Sequence, residues 1–244
     1  MTQTHSEADK LKQKLQELIA IASQVEIKLA DRLKAIASPL EKMQSGTMMS
    51  RKYLLLGLKE ILADAEFWLC YRLANPEEKQ QIKDAILQIH RYWHLEIFPT
   101  WFNKHDKDFP RWKESLITNE PPPDDAKIIN EISRSIRSKQ RQNKDYQIAR
   151  IISKLIADKA IDTDLIATAN QDNPLCVQLT QSAKEHTDNK IREWKETYNY
   201  YAIKRGLFAG YNPQNPQYIT WLTKHIVSGA DDIATKDYKD VFLK

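Results

Sequence analysis

The sequence predicts an all-α protein, one or more helical bundles organised around a long heptad-patterned N-terminal helix, and three observations carry that expectation. Apolar residues recur at steps of three and four through most of the chain, the period of one helix face. The 10 prolines punctuate those periodic segments, marking where helices are allowed to end. Glycine is scarce, 5 of 244 residues, against a usual share of about 7%. Tight hairpin turns need positive φ, which glycine adopts without strain, so this scarcity favours helices over strands.

Taken in order, the first segment runs from about Glu7 to Ala37. Leu11, Leu15, Leu18, Ala22, Val25 and Leu29 follow a 4-3-4-3-4 spacing that continues, after one extra residue, through Leu33, Ile36 and Leu40. This is a heptad seam with a stutter, to be buried in the chain's own bundle or by self-association. Ser38-Pro39 kinks or ends it, and Gln44 to Thr47 breaks before a second helix, Met48 to Leu73. Asn75-Pro76-Glu77-Glu78 reads as a cap, a first-turn proline and two acids at the positive end of a helix dipole, opening a helix to Ile97. From Phe98 to Asn119 the pattern fragments around Pro99 and Pro110. Thr118 to Asp125, with Pro121, Pro122 and Pro123, is the clearest linker, because three prolines are stiff and extended. Further helices are expected over 125–138, 146–159 and 162–169, then a long one from Asn173 to Arg205. A loop over 206–216, a helix over 217–227 and an amphipathic or frayed tail over 231–244 complete the chain. The domain reading is an N-terminal bundle over 1–118, a Pro-rich linker over 119–125 and a C-terminal helical region over 126–244.

Composition narrows the class. With 41% hydrophobic and 29% charged residues the chain should bury a core and remain soluble. Its longest apolar runs, such as Leu54 to Leu56, fall far short of the roughly 20 residues that span a bilayer. The polar N-terminus lacks the apolar stretch of a secretory signal, and Cys70 and Cys176 stand in no CxxC pattern. A cytoplasmic protein with free thiols and no membrane segment is expected.

The positive charge is concentrated. Residues 127–159 carry nine Lys/Arg against three Asp/Glu, +6 of a whole-chain charge of +4, so the remainder is slightly acidic. Such a localised field attracts polyanions. Arg137 to Asp145 contains no apolar side chain and must be exposed. If helical, Asn130, Arg134, Arg137, Arg141 and Lys144 form a stripe roughly 5 to 6 Å apart, near the spacing of phosphates along a strand. Arg134, Arg137, Lys139, Arg141 and Lys144 are the candidate nucleic-acid contacts. The plain alternative is a solvated, charged connection.

Aromatic residues crowd elsewhere. Residues 92–112 hold 7 of the 22 aromatics, interleaved with cations, and Trp194, Tyr198 and Tyr201 repeat the theme at helical spacing. Aromatic faces beside cations hold single strands by stacking, whereas the same residues just as well plug a core or anchor a protein interface. Trp93, Trp101, Trp112, Trp194 and Tyr198 are the candidates for stacking or a partner interface.

Catalytic and cofactor signatures are missing. There is no GxGxxG, GxxxxGK[ST] or GxSxG. His90 and His94 stand at i and i+4, but Arg91 occupies the HExxH glutamate position, and no catalytic residue, metal or cofactor is assigned. Glu193-Trp194-Lys195 looks like the end of a nuclease ExK motif but is discounted because that motif lives on a strand and this segment reads as helix. The expected function is a non-catalytic subunit of a nucleoprotein complex, contacting nucleic-acid backbone without base specificity alongside partner protein subunits. The alternative is a protein-protein adaptor or coiled-coil scaffold without nucleic acid.

Overall fold

In the computed structural model, residues 6–121, 125–181 and 187–243 are described. They form two compact units: one takes its described residues from the ranges Met1–Ile86 and His94–Pro122, the other from Leu87–Trp93 and Pro123–Lys244.

The first unit is helical. The heptad segment is not one helix but two, α1 (Glu7–Val25) and α2 (Ile27–Glu41), broken at Glu26, whose backbone is non-helical at φ −152° and ψ 88°. The two run antiparallel, since Gln16 reaches Glu41 and Lys12 donates to the Met43 carbonyl. Leu15, Leu18, Ala22 and Leu29 of the seam are buried; α1 and α2 pack on each other, and α1 also packs on α4 (Lys52–Leu73) of the same unit. Ser6 opens α1 with a capping box closed by Asp9. A short α3 (Ser45–Met49) precedes α4, and α5 (Pro76–Ala85) starts on the Asn75 cap, whose Oδ1 accepts from the Glu77 and Glu78 amides at 3.0 and 2.9 Å.

The unit's aromatic plug is built around one carboxylate. Phe98, Trp101 and Phe102 lie on α7 (Phe98–Asn103), and Phe109 and Trp112 on α8 (Phe109–Thr118); all five are buried. Asp106, 3% exposed, accepts the indole N–H of Trp101 at 3.2 Å and of Trp112 at 3.0 Å. A buried carboxylate needs such donors, and they fix both rings. Arg32 caps the plug, donating to the Lys104 carbonyl at 2.8 Å with its guanidinium 4.7 Å from the Phe109 ring centre. Asn119, left-handed at φ 67°, ends α8 and accepts from the Tyr53 amide at the start of α4 at 2.8 Å.

The second unit overturns the all-α expectation. It holds a five-stranded mixed sheet in the order β1-β2-β3-β4-β5. The strands are β1 (Arg150–Ile152), β2 (Leu165–Thr168), β3 (Leu175–Thr180), β4 (Arg205–Gly210) and β5 (Asp237–Phe242). The first three pair antiparallel and the last three parallel, so the chain as a whole is α/β. The helices are α6 (Gln88–Tyr92), α9 (Asp125–Gln140), α10 (Leu155–Ile161), α11 (Asp188–Tyr201) and α12 (Tyr218–Asp232). The segments expected as helix over 162–169, as the start of a helix from Asn173, as a loop over 206–216 and as a tail over 231–244 are thus strands in large part.

Two physical reasons account for the difference. First, the sheet is covered on both faces. Leu165, Ala167, Leu175, Val177, Leu207 and Ala209 pack beneath α9 and α12, while Gly206 and Phe208 face Trp194 and Tyr198 of α11. Strands buried on both sides lose the apolar/polar alternation that distinguishes them from buried helix. Second, glycine scarcity does not exclude strands here. Among the described residues the positive-φ positions are Asn119, Asp162, Asp172, Ala202 and Lys236, and none is glycine. The parallel strands are joined by helices, not tight turns. Successive parallel steps send α11 and α12 to opposite faces, so the two crossovers have opposite hands.

Arg205, 3% exposed at the start of β4, holds this unit together. Its guanidinium donates to the carbonyls of Ala230 (2.8 Å) and Ile233 (2.6 Å) at the end of α12, and of Asn173 (2.7 Å) and Pro174 (3.1 Å) before β3. We predict that Arg205→Leu destabilises the protein by at least about 3 kcal/mol, because several buried carbonyls lose their donor together. Urea denaturation followed by circular dichroism checks this; a loss below about 1 kcal/mol would show that the clamp is dispensable.

Candidate functional site

The basic segment folds as an apolar inner face with a charged outer one. Ile128, Ile132 and Ile136 of α9 are buried in the sheet core, which leaves Arg134 and Arg137 exposed on the outside. The helix ends at Gln140, so the expected continuous stripe stops there. Arg141 and Lys144 come instead from the following connection, where a single 3-10 turn spans Lys144–Tyr146 and Asn143 Oδ1 accepts from the Asp145 amide at 2.9 Å. Gln140 anchors that connection by donating to the Ala149 carbonyl at 3.0 Å. Arg150 extends the charge onto the edge strand β1, exposed. Lys139 differs from the others, because its ammonium rests 5.2 Å from the centre of the buried Tyr146 ring. The side chains of Arg134, Arg137, Arg141, Lys144 and Arg150 make no hydrogen bond or ion pair among the described residues.

The five candidate aromatics are all interior: Trp93 and Trp101 are 0% exposed, Trp112 4%, Trp194 2% and Tyr198 0%. Each stacks with or lies beneath protein. Trp194 meets Tyr198 at 4.6 Å and Phe208 at 5.5 Å between ring centres, and Lys154 lies over Trp93 at 5.6 Å. Folded, they offer no open face to a base.

Beside Trp194 lies a cleft that the sequence reading missed. About 320 Å³ in volume, it opens at the carboxyl end of β3 between that strand and α11, lined by Asp162, Gln178, Thr180, Lys190 and Glu193 over a floor of Leu179, Trp194 and Phe208. Glu193 reaches it from a helix, as the sequence implied, yet Gln178 and Thr180 stand on the strand. The crevice outside the carboxyl ends of the strands is where open α/β sheets bind ligands. Behind the rim Asp164, 4% exposed, accepts the Leu179 amide through Oδ2, tying β2 to β3. Gln178 Oε1 is buried without a hydrogen-bond partner. The only sequence sign of this site was the Glu193 fragment. Its companions are forty residues or fewer away in the chain but carry no recognisable motif.

Other titratable groups are structural. Cys176 is fully buried in β3, its Sγ 3.8 Å from Tyr92 Oη, and burial pushes the thiol up to about 12. Burial likewise raises Tyr198, whose hydroxyl pairs with Thr163 Oγ1 at 2.8 Å. In the first unit His94 Nδ1 stands 3.7 Å from Asp64 and the ring stacks on Phe67 at 4.1 Å. Among the described residues, no group of three or more His, Cys, Asp or Glu is arranged to hold a metal ion, and no helix is long and apolar enough to cross a membrane. The chain matches no protein-family model, no curated protein and no solved structure.

The contrast between the two cysteines is measurable. Cys70 is exposed and Cys176 buried as a thiol, so at pH 8 a chromogenic disulfide reagent should titrate one thiol per native chain and two after denaturation. Rapid release of two equivalents from folded protein would contradict this burial.

Proposed function

We propose that the chain is a nucleic-acid-binding protein whose C-terminal unit tracks the phosphate backbone, as a subunit of a cytoplasmic nucleoprotein assembly. One observation carries this reading: Arg134, Arg137, Arg141, Lys144 and Arg150 are exposed and make no ion pair among the described residues, although acids are plentiful in the chain. Surface cations that served solubility alone would gain by being interspersed with carboxylates. A row left unpaired keeps its charge for a polyanion. The buried isoleucines beneath fix α9 rigidly, which presents Arg134 and Arg137 without a folding cost on binding.

Contacts to phosphate release condensed counterions. The logarithm of affinity should therefore fall with the logarithm of salt by about 0.7 per contact for single strands and about 0.9 for duplex. Replacing Arg134, Arg137, Arg141 and Lys144 together by Ala should flatten that slope by about three units and leave the melting temperature nearly unchanged, since all four are exposed. Fluorescence anisotropy of a labelled oligonucleotide from about 50 mM salt upward provides the measurement. An unchanged slope, or no binding at about 50 mM, sinks the proposal in favour of an adaptor without nucleic acid.

The cleft favours a second reading, in which the same unit also acts on the phosphate. Asp162 and Glu193 with the Gln178 carbonyl oxygen are oxygen donors suited to a hard divalent cation, and Lys190 is a cation able to meet an anionic group. Magnesium commonly takes only one or two protein carboxylates and completes its shell with waters and the substrate's phosphates. A cation held there by Asp162, Glu193 and the Gln178 side-chain oxygen would supply Lewis-acid activation for phosphodiester hydrolysis. Supercoiled plasmid and single-stranded DNA incubated with the protein and about 5 mM magnesium or manganese should then be cut, a concentration typical of weak oxygen-ligand sites. Glu193→Gln and Asp162→Asn should abolish cutting without altering the salt slope. Intact DNA with both metals removes this reading and leaves the binding proposal standing.

A further inference from the structure

The chain has six tryptophans. Five are buried: Trp68 at 7%, Trp93 and Trp101 at 0%, Trp112 at 4% and Trp194 at 2%. Trp221 alone is half-buried. It sits on α12, whose inner side buries Leu222, Ile226, Val227 and Ala230 against the sheet. One turn along the helix is His225, also half-buried, with its ring centre 4.3 Å from that of Trp221. The two rings, tilted by 50° to one another, form a small, partly exposed aromatic shelf, with Trp221 packed against the core.

Two exposed lysines flank it. Lys224 adjoins His225 on the same helix, and Lys239 comes from β5. Lys239 pairs in register with Leu207, whose side chain lies under α12, so Lys239 leaves the sheet on the same side. Neither lysine's ammonium group is in a hydrogen bond or ion pair among the described residues. Burial first, then the charges of Lys224 and Lys239, push the His225 pKa below its usual range.

We infer that this shelf is a nucleobase-stacking site for single-stranded nucleic acid, with one base packed on the Trp221–His225 pair and the flanking phosphates beside Lys224 and Lys239. This rests on the backbone-binding reading and deepens it, because it assigns the strandedness. Bases in a duplex are covered on both faces by their neighbours, whereas a base in a single strand can leave its stack and cover an aromatic ring. The interaction is indifferent to base identity, since every base has a π-face, and the adjacent cations supply the salt-dependent part. Trp221 is the one tryptophan of the six that is partly exposed, and it stands near two exposed lysines whose side chains pair with nothing among the described residues.

The test uses the full chain and an oligothymidylate of about twelve nucleotides, within the usual range of single-strand site sizes. Binding is followed by anisotropy of a labelled strand and by intrinsic tryptophan fluorescence, with a duplex of equal length as control. The strand should quench the fluorescence of the wild-type protein, and in Trp221→Phe the quenching should disappear while binding largely remains. Trp221→Ala should weaken single-strand binding roughly 5- to 100-fold and duplex binding little. Because Trp221 also touches the core, Lys224→Glu with Lys239→Glu serves as a second variant that leaves the fold alone, and it should weaken single-strand binding as well. A strand that binds without quenching, with affinity indifferent to both variants, overturns the stacking site and leaves the backbone reading intact. Failure to bind either nucleic acid overturns both.

Discussion

A single buried guanidinium sets the geometry on which the C-terminal unit depends. Burial lowers the pKa of Arg205, yet its N–H groups are met by carbonyls from the end of α12 and from the turn before β3. The last carbonyls of a helix have no partner within the helix and carry its negative dipole end, so a cation there satisfies both deficits at once. Since Arg205 is itself the first residue of β4, the same contacts fix where α12 stops and where β3 begins relative to the central parallel strand. The positions of Trp221, His225 and Lys239 follow from that alignment.

Buried charge is handled in the same way in the N-terminal unit. Asp106 gathers two indole N–H groups and the Asp108 amide, as Arg205 gathers carbonyls. In each case the ionic group is retained because several neutral dipoles replace its water. The result is directional: a purely apolar plug of Trp101, Phe109 and Trp112 could slide, but one pinned through its indole nitrogens cannot.

The groups suited to binding lie where these cores leave off. The isoleucines of α9 take the inside and its arginines the outside; the aliphatic residues of α12 take the inside, with Trp221 and His225 at the margin. The polar cleft opens at the end of β3 where pairing changes from antiparallel to parallel. Each of these groups stands on a packed element, so the binding proposed for them would not require the protein to order first.

Much of the first unit was legible because its determinants are local. The spacing of Leu15, Leu18, Ala22 and Leu29 marks a helix face, and Asn75 ahead of Pro76 and Glu78 marks a helix start, whatever the rest of the chain does. What the local pattern did not show is the break at Glu26, which turns one heptad helix into two that cover each other's seam. The sheet was illegible for a related reason. Leu165 to Thr168 is buried on both faces and Gly206 lies against Trp194 and Tyr198, so the run shows no alternation, and its turns are made by Asp162, Asp172 and Lys236 without glycine.

For the site, exposure of Arg137, Arg141 and Lys144 could be read from a stretch without apolar residues and that of Arg134 from its place off the isoleucine face of α9, while Lys139 was drawn onto Tyr146 by a contact seven residues along the chain. The sequence by itself determined which segments carry charge, which helices have an apolar face and which residues can cap them, because those properties act over one or two turns. Only the tertiary structure decided which tryptophan stays open and which side chains share the cleft, because Trp194 and Trp221 stand in equally amphipathic helices and differ only in what the sheet places against them.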